Sequence, residues 1–284
     1  MTKEGILQKL KAAMELRGRC ETTIRAYIDI AEAYQDFHGK SADQMGEQEI
    51  VDYLHDLITK KKLKASTVNS RNSALRFLYN EVLDANLDLR KIPAIKRKRS
   101  YPQLITKEEI QAIFDCAKTL QYKAMFMLAY GSGLRISEIV NLKVHDIDSK
   151  QMRIFVRKGK GNKDRFTVLP QATLDVLRKC WLEYRPNDWM FVKNKSNKQH
   201  LKKTVYDSFM RTAKRARISK HVTPHTLRHC FTTHLLNEGY DVCAISKLLG
   251  HSRLDTTAWY IHLTDENTRN VKSPLDTMQV KPDA

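Results

Sequence analysis

One short segment divides this chain, because it disfavours helix and is rich in positive charge. It runs Lys91-Ile-Pro-Ala-Ile-Lys-Arg-Lys-Arg-Ser-Tyr-Pro102, with two prolines and a run of four basic residues. Proline disfavours helix both at its own position and at the residue before it. The sequence therefore predicts a linker over residues 91–103 between two folded units, residues 1–90 and 104–284.

The first unit has the hydrophobic spacing of a small helical bundle. Apolar residues recur at helical intervals over residues 24–37 and 50–58, and another such stretch begins near Ser66. Stripes of this period predict amphipathic helices, and the short polar turns between them predict that the helices pack as a bundle.

The second unit mixes helices with a small sheet. Thr106-Lys-Glu-Glu109 is a capping-box pattern that predicts a helix start, and residues 124–130 are apolar nearly all round, which predicts a buried helix. Alternation over residues 152–156 predicts a strand, and residues 166–169 predict its return partner. Helices then dominate, so the fold class is mainly α with a small antiparallel β-sheet.

The charge of the chain points to a polyanionic partner. Lys and Arg number 50 against 32 acidic residues, which gives a net charge of +18 and a pI near 9.7. Such a surplus in a folded chain favours nucleic acid. A membrane partner is disfavoured because no apolar stretch is long enough to span a bilayer, and the amphipathic N-terminus has no signal core. The protein is expected to be intracellular, in the cytoplasm.

The five cysteines do not predict a disulfide framework or a metal site. Their number is odd, they are widely spaced along the chain, and no pair has the spacing of zinc ligands. Neither is there a carboxylate cluster suited to Mg²⁺. No metal and no other cofactor is expected.

Two short motifs in the last third of the chain are suited to binding an anion. Thr223-Pro224 is a helix-start signal that places His225 in the first turn, with Arg228 one turn later on the same face. Backbone donors at such a helix end favour an anion. Gly250 is expected to stop another helix and leave His251 on a turn.

Each further candidate has an ordinary structural explanation when it is taken alone. Arg135 follows a glycine break and could be a surface arginine paired with Glu138. Lys160 lies at a basic, glycine-bearing hairpin tip and could be a general contact to a DNA backbone. Tyr260 lies among apolar residues and could belong to the core. Together with the two motifs above they supply guanidinium, ammonium, imidazole and phenol groups, which suit holding a phosphodiester and attacking it with oxygen.

The order and spacing of these residues resemble a known family. The matching blocks are Gly131-Ser-Gly-Leu-Arg135-Ile-Ser-Glu138, Gly159-Lys160-Gly-Asn-Lys163, His225-Thr-Leu-Arg228-His229, Leu248-Leu-Gly-His251 and Thr256-Thr-Ala-Trp-Tyr260. They resemble the signature of the tyrosine recombinases, the phage integrase family, and most closely that of compact Xer-type members. The resemblance covers roughly residues 104–263. The N-terminal bundle agrees with the family only in size, helicity and charge.

The resemblance implies a role for each residue of the set. Tyr260 would attack the scissile phosphate and form a 3′-phosphotyrosyl link, while Arg135 and Arg228 hold the non-bridging oxygens. Lys160 would be the general acid for the leaving oxygen, and His225 would assist proton transfer, chiefly as a general base. The two supporting residues would be His251, on the phosphate, and Glu138, which would orient Arg135 or a neighbour.

The resemblance also implies a two-domain, C-shaped clamp on double-stranded DNA, with a helical core-binding domain before the linker and a catalytic domain after it. Recombination would pass through a Holliday junction in a homotetramer assembled on paired half-sites, from a protein that is a monomer in isolation. Covalent attachment conserves the phosphodiester energy, so no ATP is expected. Exposed basic positions predict the DNA contacts, which are Lys96, Arg97, Lys98, Arg99, Lys163, Arg211, Lys214 and Arg215.

Two other functions stay open at this level. One is a DNA-relaxing enzyme of the type IB topoisomerase class, and the other is a non-catalytic DNA-binding protein of the same fold. The two-unit layout favours recombination over relaxation, and the complete set of six residues favours catalysis over binding alone. The biological task could be dimer resolution or the integration and excision of a phage or transposon, since all of these use the same chemistry.

Overall fold

The computed structural model describes residues 1–85, 87–88, 91–96, 103–157, 164–193 and 198–250. The chain separates into two compact units, Met1–Ser100 and Tyr101–Ala284. Each unit has an apolar core of its own, and the apolar faces of its helices pack into that core.

The N-terminal unit is a bundle of four helices in the part that is described. They are α1 (Lys3–Leu16), α2 (Glu21–His38), α3 (Glu47–Thr59) and α4 (Ala65–Glu81), with a 3-10 turn at Ala42–Gln44. The helices predicted over residues 24–37, over residues 50–58 and from Ser66 onward are confirmed. Their apolar stripes meet in one core, where the buried Tyr34 and Tyr79 share a hydrogen bond of 2.9 Å between their hydroxyl oxygens.

The first residues of the predicted linker pack against this bundle. Ile92 is buried in the core, and its carbonyl accepts hydrogen bonds from Asn72 and Arg76 of α4. The backbone N–H of Ile95 donates to Asn69 Oδ1 at 2.8 Å. Isoleucines at two of these positions complete the core, and the α4 amides satisfy the backbone groups that a non-helical segment exposes. Residues 91–96 therefore belong structurally to the N-terminal unit.

The helices of the second unit pack around one buried helix, Leu120–Gly131. Its elements are α5 (Lys107–Asp115), α6 (Leu120–Gly131), α7 (Ile136–Val140), β1 (Ile147–Asp148), β2 (Arg153–Val156), β3 (Arg165–Val168), α8 (Gln171–Tyr184), α9 (Lys202–Arg215), α10 (Pro224–Asn237) and α11 (Val242–Leu249). As predicted, α6 is apolar on most sides and α5 begins with a capping box. In that box the Thr106 N–H donates to Glu109 Oε2 at 2.8 Å.

The sheet has three antiparallel strands in the order β1-β2-β3. Arg153 pairs with Val168 and Val156 with Arg165, so the two predicted strands form the expected hairpin. The short β1 was not predicted, because two residues are too few to show alternation. The register places Arg165 at the start of β3, on the side of the sheet near α11.

Candidate active site

Arg135 and Glu138 form a tight pair at the start of α7. Arg135 is the N-cap residue of that helix, directly after the glycine loop that ends α6. Its backbone N–H donates to Glu138 Oε2 at 2.8 Å, and its Nη1 donates to Glu138 Oε1 at 2.8 Å. The Arg135 side chain is 19% exposed and that of Glu138 is 6% exposed. The carboxylate is therefore buried, while the guanidinium keeps an open side.

A third residue, Arg165 of β3, completes this pair and was not predicted. Its Nη1 and Nη2 donate to the two carboxylate oxygens of Glu138 at 2.9 and 2.8 Å, a bidentate ion pair. Its Nε donates to the carbonyl of Leu248 in α11 at 2.8 Å. The sequence shows Arg165 only as the last charge after a basic hairpin tip, and its partner is 27 residues away. No local pattern would have identified it.

The charge of Glu138 is set by these two arginines. Burial alone would raise the pKa of this carboxyl, but the hydrogen bonds and positive charges of Arg165 and Arg135 outweigh burial and lower it to about 2. Glu138 is thus ionised at neutral pH. Because more than one guanidinium shares a single carboxylate, the cluster remains positively charged and attracts anions.

Arg228 lies beside this cluster on α10. Its side chain is 3% exposed, and its Nη1 lies 3.9 Å from Glu138 Oε2. One arm of the guanidinium donates to the Gly133 carbonyl, and the other donates to the Leu249 carbonyl at 2.8 Å. Arg228 therefore joins the glycine loop before Arg135 to the last turn of α11.

His225 stands one turn before Arg228, at the mouth of the cluster. Thr223 and Pro224 begin α10 as predicted, and the Thr223 N–H donates to Thr226 Oγ1 at 3.0 Å. The His225 ring is partly exposed and meets the His229 ring edge-on, with 4.5 Å between centroids. Surrounding protein removes hydration, and together with the charges of Arg228 and Arg135 this lowers the pKa of His225. A neutral imidazole at physiological pH can accept a proton.

Helix α11 ends beside the arginine cluster, with Gly250 as its C-cap residue. Gly250 has a left-handed backbone with φ of 63°, as the predicted helix stop requires. A Cβ on Gly250 would lie 2.7 Å from Arg165 Cδ, so the chain passes directly over that side chain. The carbonyls of Leu248 and Leu249 are taken by Arg165 and Arg228, which satisfies two groups that a helix end otherwise leaves open.

The described residues thus bring together four of the predicted site residues, namely Arg135, Glu138, His225 and Arg228. Lys160, His251 and Tyr260 lie outside the described residues, and so do the predicted DNA contacts Arg97, Lys98, Arg99 and Lys163. The roles of all these residues remain predictions.

The remaining predicted DNA contacts, Lys96, Arg211, Lys214 and Arg215, are all exposed. The guanidinium of Arg215 also donates to the Cys116 carbonyl, at 2.8 Å from Nη2 and 3.2 Å from Nε. Arg215 therefore fastens the end of α9 to the segment after α5, and this engagement reduces what it can offer to DNA.

Within the described ranges, no group of three or more His, Cys, Asp or Glu side chains is placed to hold a metal ion. Over the same ranges, none of the helices is both long and apolar enough to cross a membrane.

The glycine loop before Arg135 gives a first testable prediction. Gly133 has φ of +63°, and a Cβ there would lie 2.6 Å from Phe231 Cδ1 and 2.9 Å from Leu249 Cδ2. Gly133→Ala is expected to lower the free energy of unfolding by about 2–4 kcal/mol, through backbone strain and overlap with α10 and α11. Urea denaturation measures the change.

Gly239→Ala is the matched control for that variant. Gly239 also has positive φ, at +85°, but a Cβ there would meet nothing within 4 Å. It should cost about 1 kcal/mol, from backbone strain alone. Equal losses for the two variants would show that contact with α10 and α11 does not constrain the glycine loop.

Comparison with known proteins identifies relatives along the whole chain. The model described as the phage integrase family matches residues 103–267, and that of the phage integrase N-terminal SAM-like domain matches residues 6–89. A putative integrase/recombinase of Sinorhizobium fredii, y4qK, is 33% identical over 272 residues, which cover 95% of this chain and 88% of that protein. Tyrosine recombinase XerA of Thermococcus onnurineus is 32% identical, with 94% of each chain covered.

Solved structures agree with these sequence matches. A crystal structure of XerA recombinase is 29% identical with a TM-score of 0.53, covering 94% of this chain and 96% of that one. XerH recombinase bound to its palindromic difH substrate, in a post-cleavage complex, is 20% identical with a TM-score of 0.75, covering 94% and 83%. The latter likeness concerns the fold alone. The resemblance inferred from the five sequence blocks and the predicted fold class are confirmed.

Proposed function

Because the chain belongs to the phage integrase family, as a tyrosine recombinase of the Xer type, we propose that it cuts and rejoins DNA at specific sites through a covalent 3′-phosphotyrosyl intermediate. The observation that carries this proposal is the cluster of Arg135, Arg165 and Arg228 around one ionised carboxylate, with the neutral His225 at its mouth. Such a site binds a phosphate and can accept a proton beside it.

The most exposed guanidinium of the cluster is suited to meet the phosphate first. Side-chain exposure is 19% for Arg135, 7% for Arg165 and 3% for Arg228. In the proposed complex, Arg135 contacts one non-bridging oxygen from the open side, and Arg228 supports the other from the floor of the site. Fixed cations that face the developing charge lower the barrier, since little rearrangement is needed during the reaction.

The proposed chemistry transfers the phosphoryl group in two balanced steps. The Tyr260 oxygen attacks phosphorus and loses its proton to His225, while the P–O bond to the 5′ oxygen breaks and Lys160 protonates that oxygen. In the second step a 5′ hydroxyl returns its proton to Lys160 and attacks the phosphotyrosine, the P–O bond to Tyr260 breaks, and the Tyr260 oxygen takes back its proton from His225. His251 would add a hydrogen bond to the phosphate. One phosphodiester replaces another, so no energy source is consumed.

The proposal extends to partners and domain roles. Residues 1–90, with residues 91–96 packed against them, would form the core-binding domain, the rest of the basic segment up to residue 103 a linker, and residues 104–284 the catalytic domain. Exposed Lys96, Arg211 and Lys214 would bind DNA phosphates, so affinity should fall with salt. A monomer in isolation would assemble as a homotetramer on paired half-sites and exchange strands through a Holliday junction. The structure of XerH recombinase bound to its palindromic difH substrate supports DNA as the partner.

Covalent trapping tests the proposed function. Duplexes that bind the protein tightly are first selected from a random-sequence library, and a nick is then placed near the centre of the selected site. The wild type should form a protein–DNA adduct that survives denaturing electrophoresis, because the nick lets the cleaved strand diffuse away. Tyr260→Phe, which lacks the attacking oxygen, should form no detectable adduct.

Two results would contradict this proposal. Absence of adduct with the wild type on every nicked duplex would favour a DNA-binding protein without catalysis. Adducts on duplexes of any sequence, together with rapid relaxation of supercoiled plasmid, would favour a topoisomerase.

A further inference from the structure

We propose that Arg165 is a positioning residue, which holds Glu138 and the last turn of α11 so that Arg135 stays available to the scissile phosphate. This inference rests on the proposed function for the identity of that phosphate. The comparisons assign no role to Arg165, and the five sequence blocks do not include it.

The Arg165 donors all go to groups of the protein itself. Nη1 and Nη2 bind the two oxygens of Glu138, and Nε binds the carbonyl of Leu248. All three nitrogens of the guanidinium therefore contact the protein itself, and the side chain is only 7% exposed. Arg165 is placed to act through its neighbours and not by touching DNA.

Arg165 also affects how strongly Arg135 attracts an anion. Glu138 is three residues from Arg135 and takes a hydrogen bond from its Nη1 at 2.8 Å. A carboxylate bound to Arg135 alone would neutralise that guanidinium and compete with a phosphate for it. Arg165 occupies both oxygens of the same carboxylate, so the negative charge is shared and Arg135 retains its attraction for an anion.

Arg165 also holds the end of α11. Its Nε donates to the Leu248 carbonyl, and a Cβ built on Gly250 would lie 2.7 Å from Arg165 Cδ. Glu138 and the end of α11 are thus held by one rigid, planar group. The position of the last turn of α11 therefore depends on Arg165.

The test compares Arg165→Gln with the matched variant Arg157→Gln. Arg157 is in the same hairpin segment and binds a buried carboxylate, Asp146, at 2.7 Å, but lies outside the cluster. Arg165→Gln should slow adduct formation on the nicked, selected duplex about 100-fold at saturating protein. Arg157→Gln should slow it less than about threefold. Rates are corrected for the folded fraction, measured by circular dichroism.

Charge rescue separates positioning from a merely structural role. Adding Glu138→Gln to Arg165→Gln removes the unbalanced carboxylate, so the double variant should cleave about tenfold faster than Arg165→Gln alone. If Arg165→Gln slowed cleavage only by destabilising the fold, the second substitution would destabilise the protein further and the cleavage rate would not recover. If Arg165→Gln does not fold, Arg165→Lys replaces it, with an expected rate about tenfold below the wild type because one ammonium cannot reproduce the fork.

Binding of inorganic phosphate to the full chain tests the inference without catalysis. Calorimetry on the wild type and on Arg135→Gln defines the part of binding that belongs to the cluster. Arg165→Gln should weaken that part about tenfold, and Arg157→Gln should leave it unchanged. If the wild type makes no adduct, the proposed function fails. The phosphate-binding measurement still tests the positioning role of Arg165, because it does not depend on cleavage. Equal effects of the Arg165 and Arg157 variants, or no rescue by Glu138→Gln, would overturn the inference.

Discussion

Replacing Arg228 by alanine is expected to reduce adduct formation on the nicked, selected duplex at least about 1,000-fold. The expected cause is twofold. The variant removes a cation from the proposed phosphate site, and it also removes the group that binds the Gly133 and Leu249 carbonyls. Two buried carbonyls would then lack their donor, so the free energy of unfolding should fall by about 2–5 kcal/mol.

Arg228→Lys distinguishes charge from geometry in that result. Lysine keeps the positive charge, but a single ammonium cannot match the planar fork that reaches the glycine loop and α11 together. Stability should recover in part, whereas the rate should stay at least about 100-fold below the wild type. Stability is measured by urea denaturation, and the rate is measured as single-turnover adduct formation at equal concentrations of folded wild type and variant.

The control for Arg228 is Arg211→Ala, an exposed basic residue on α9. It should change stability by less than about 0.5 kcal/mol, and it should weaken DNA binding uniformly without altering the rate at saturation. A wild-type rate and stability for Arg228→Ala would show that its two carbonyl contacts and its charge are dispensable. That result would remove the cluster as the basis of the proposed function.

Local patterns in the sequence were sufficient for most helices and for the hairpin. The helical period, the capping box at Thr106 and the glycine at position 250 depend on neighbours within a few residues, so the sequence alone displays them. The same holds for Thr223-Pro224, which begins α10 as predicted. These features are encoded locally because backbone hydrogen bonds in a helix join residues four apart.

The features that the sequence did not reveal depend on distant partners. Arg165 is one charge in a basic run until the fold brings Glu138 to it, and Ile92 is part of a proline-rich segment until α4 covers it. In each case an isolated residue has no periodicity to signal its environment. Taken alone, the spacing of Arg135 and Glu138 predicts an ordinary surface pair, and only the family resemblance gives Glu138 the role of orienting Arg135 or a neighbour. In the structure the carboxylate is 6% exposed and is shared with a second arginine.

Glu138 should contribute strongly to the loss of stability of this protein in acid. Its pKa is lowered from 4.5 to about 2 in the folded chain, since the contacts with Arg165 and Arg135 outweigh the opposing effect of burial. A lowered folded pKa means that the stabilisation is complete above about pH 4.5 and is lost as pH falls toward 2. The shift corresponds to about 3 kcal/mol.

Glu138→Gln is accordingly expected to lower the free energy of unfolding at pH 7 by about 3–5 kcal/mol, because buried guanidiniums lose their counter-charge. The gap between variant and wild type should narrow as urea denaturation is repeated from pH 5 toward pH 2.5. Glu109→Gln, at the capping box of α5 where Lys220 also binds, is the control and should cost about 1 kcal/mol. A gap for Glu138→Gln that stays constant across this range would mean that the carboxylate does not gain its stabilising charge from the arginines. The electrostatic sharing inferred for Arg135 and Arg165 would then have no basis.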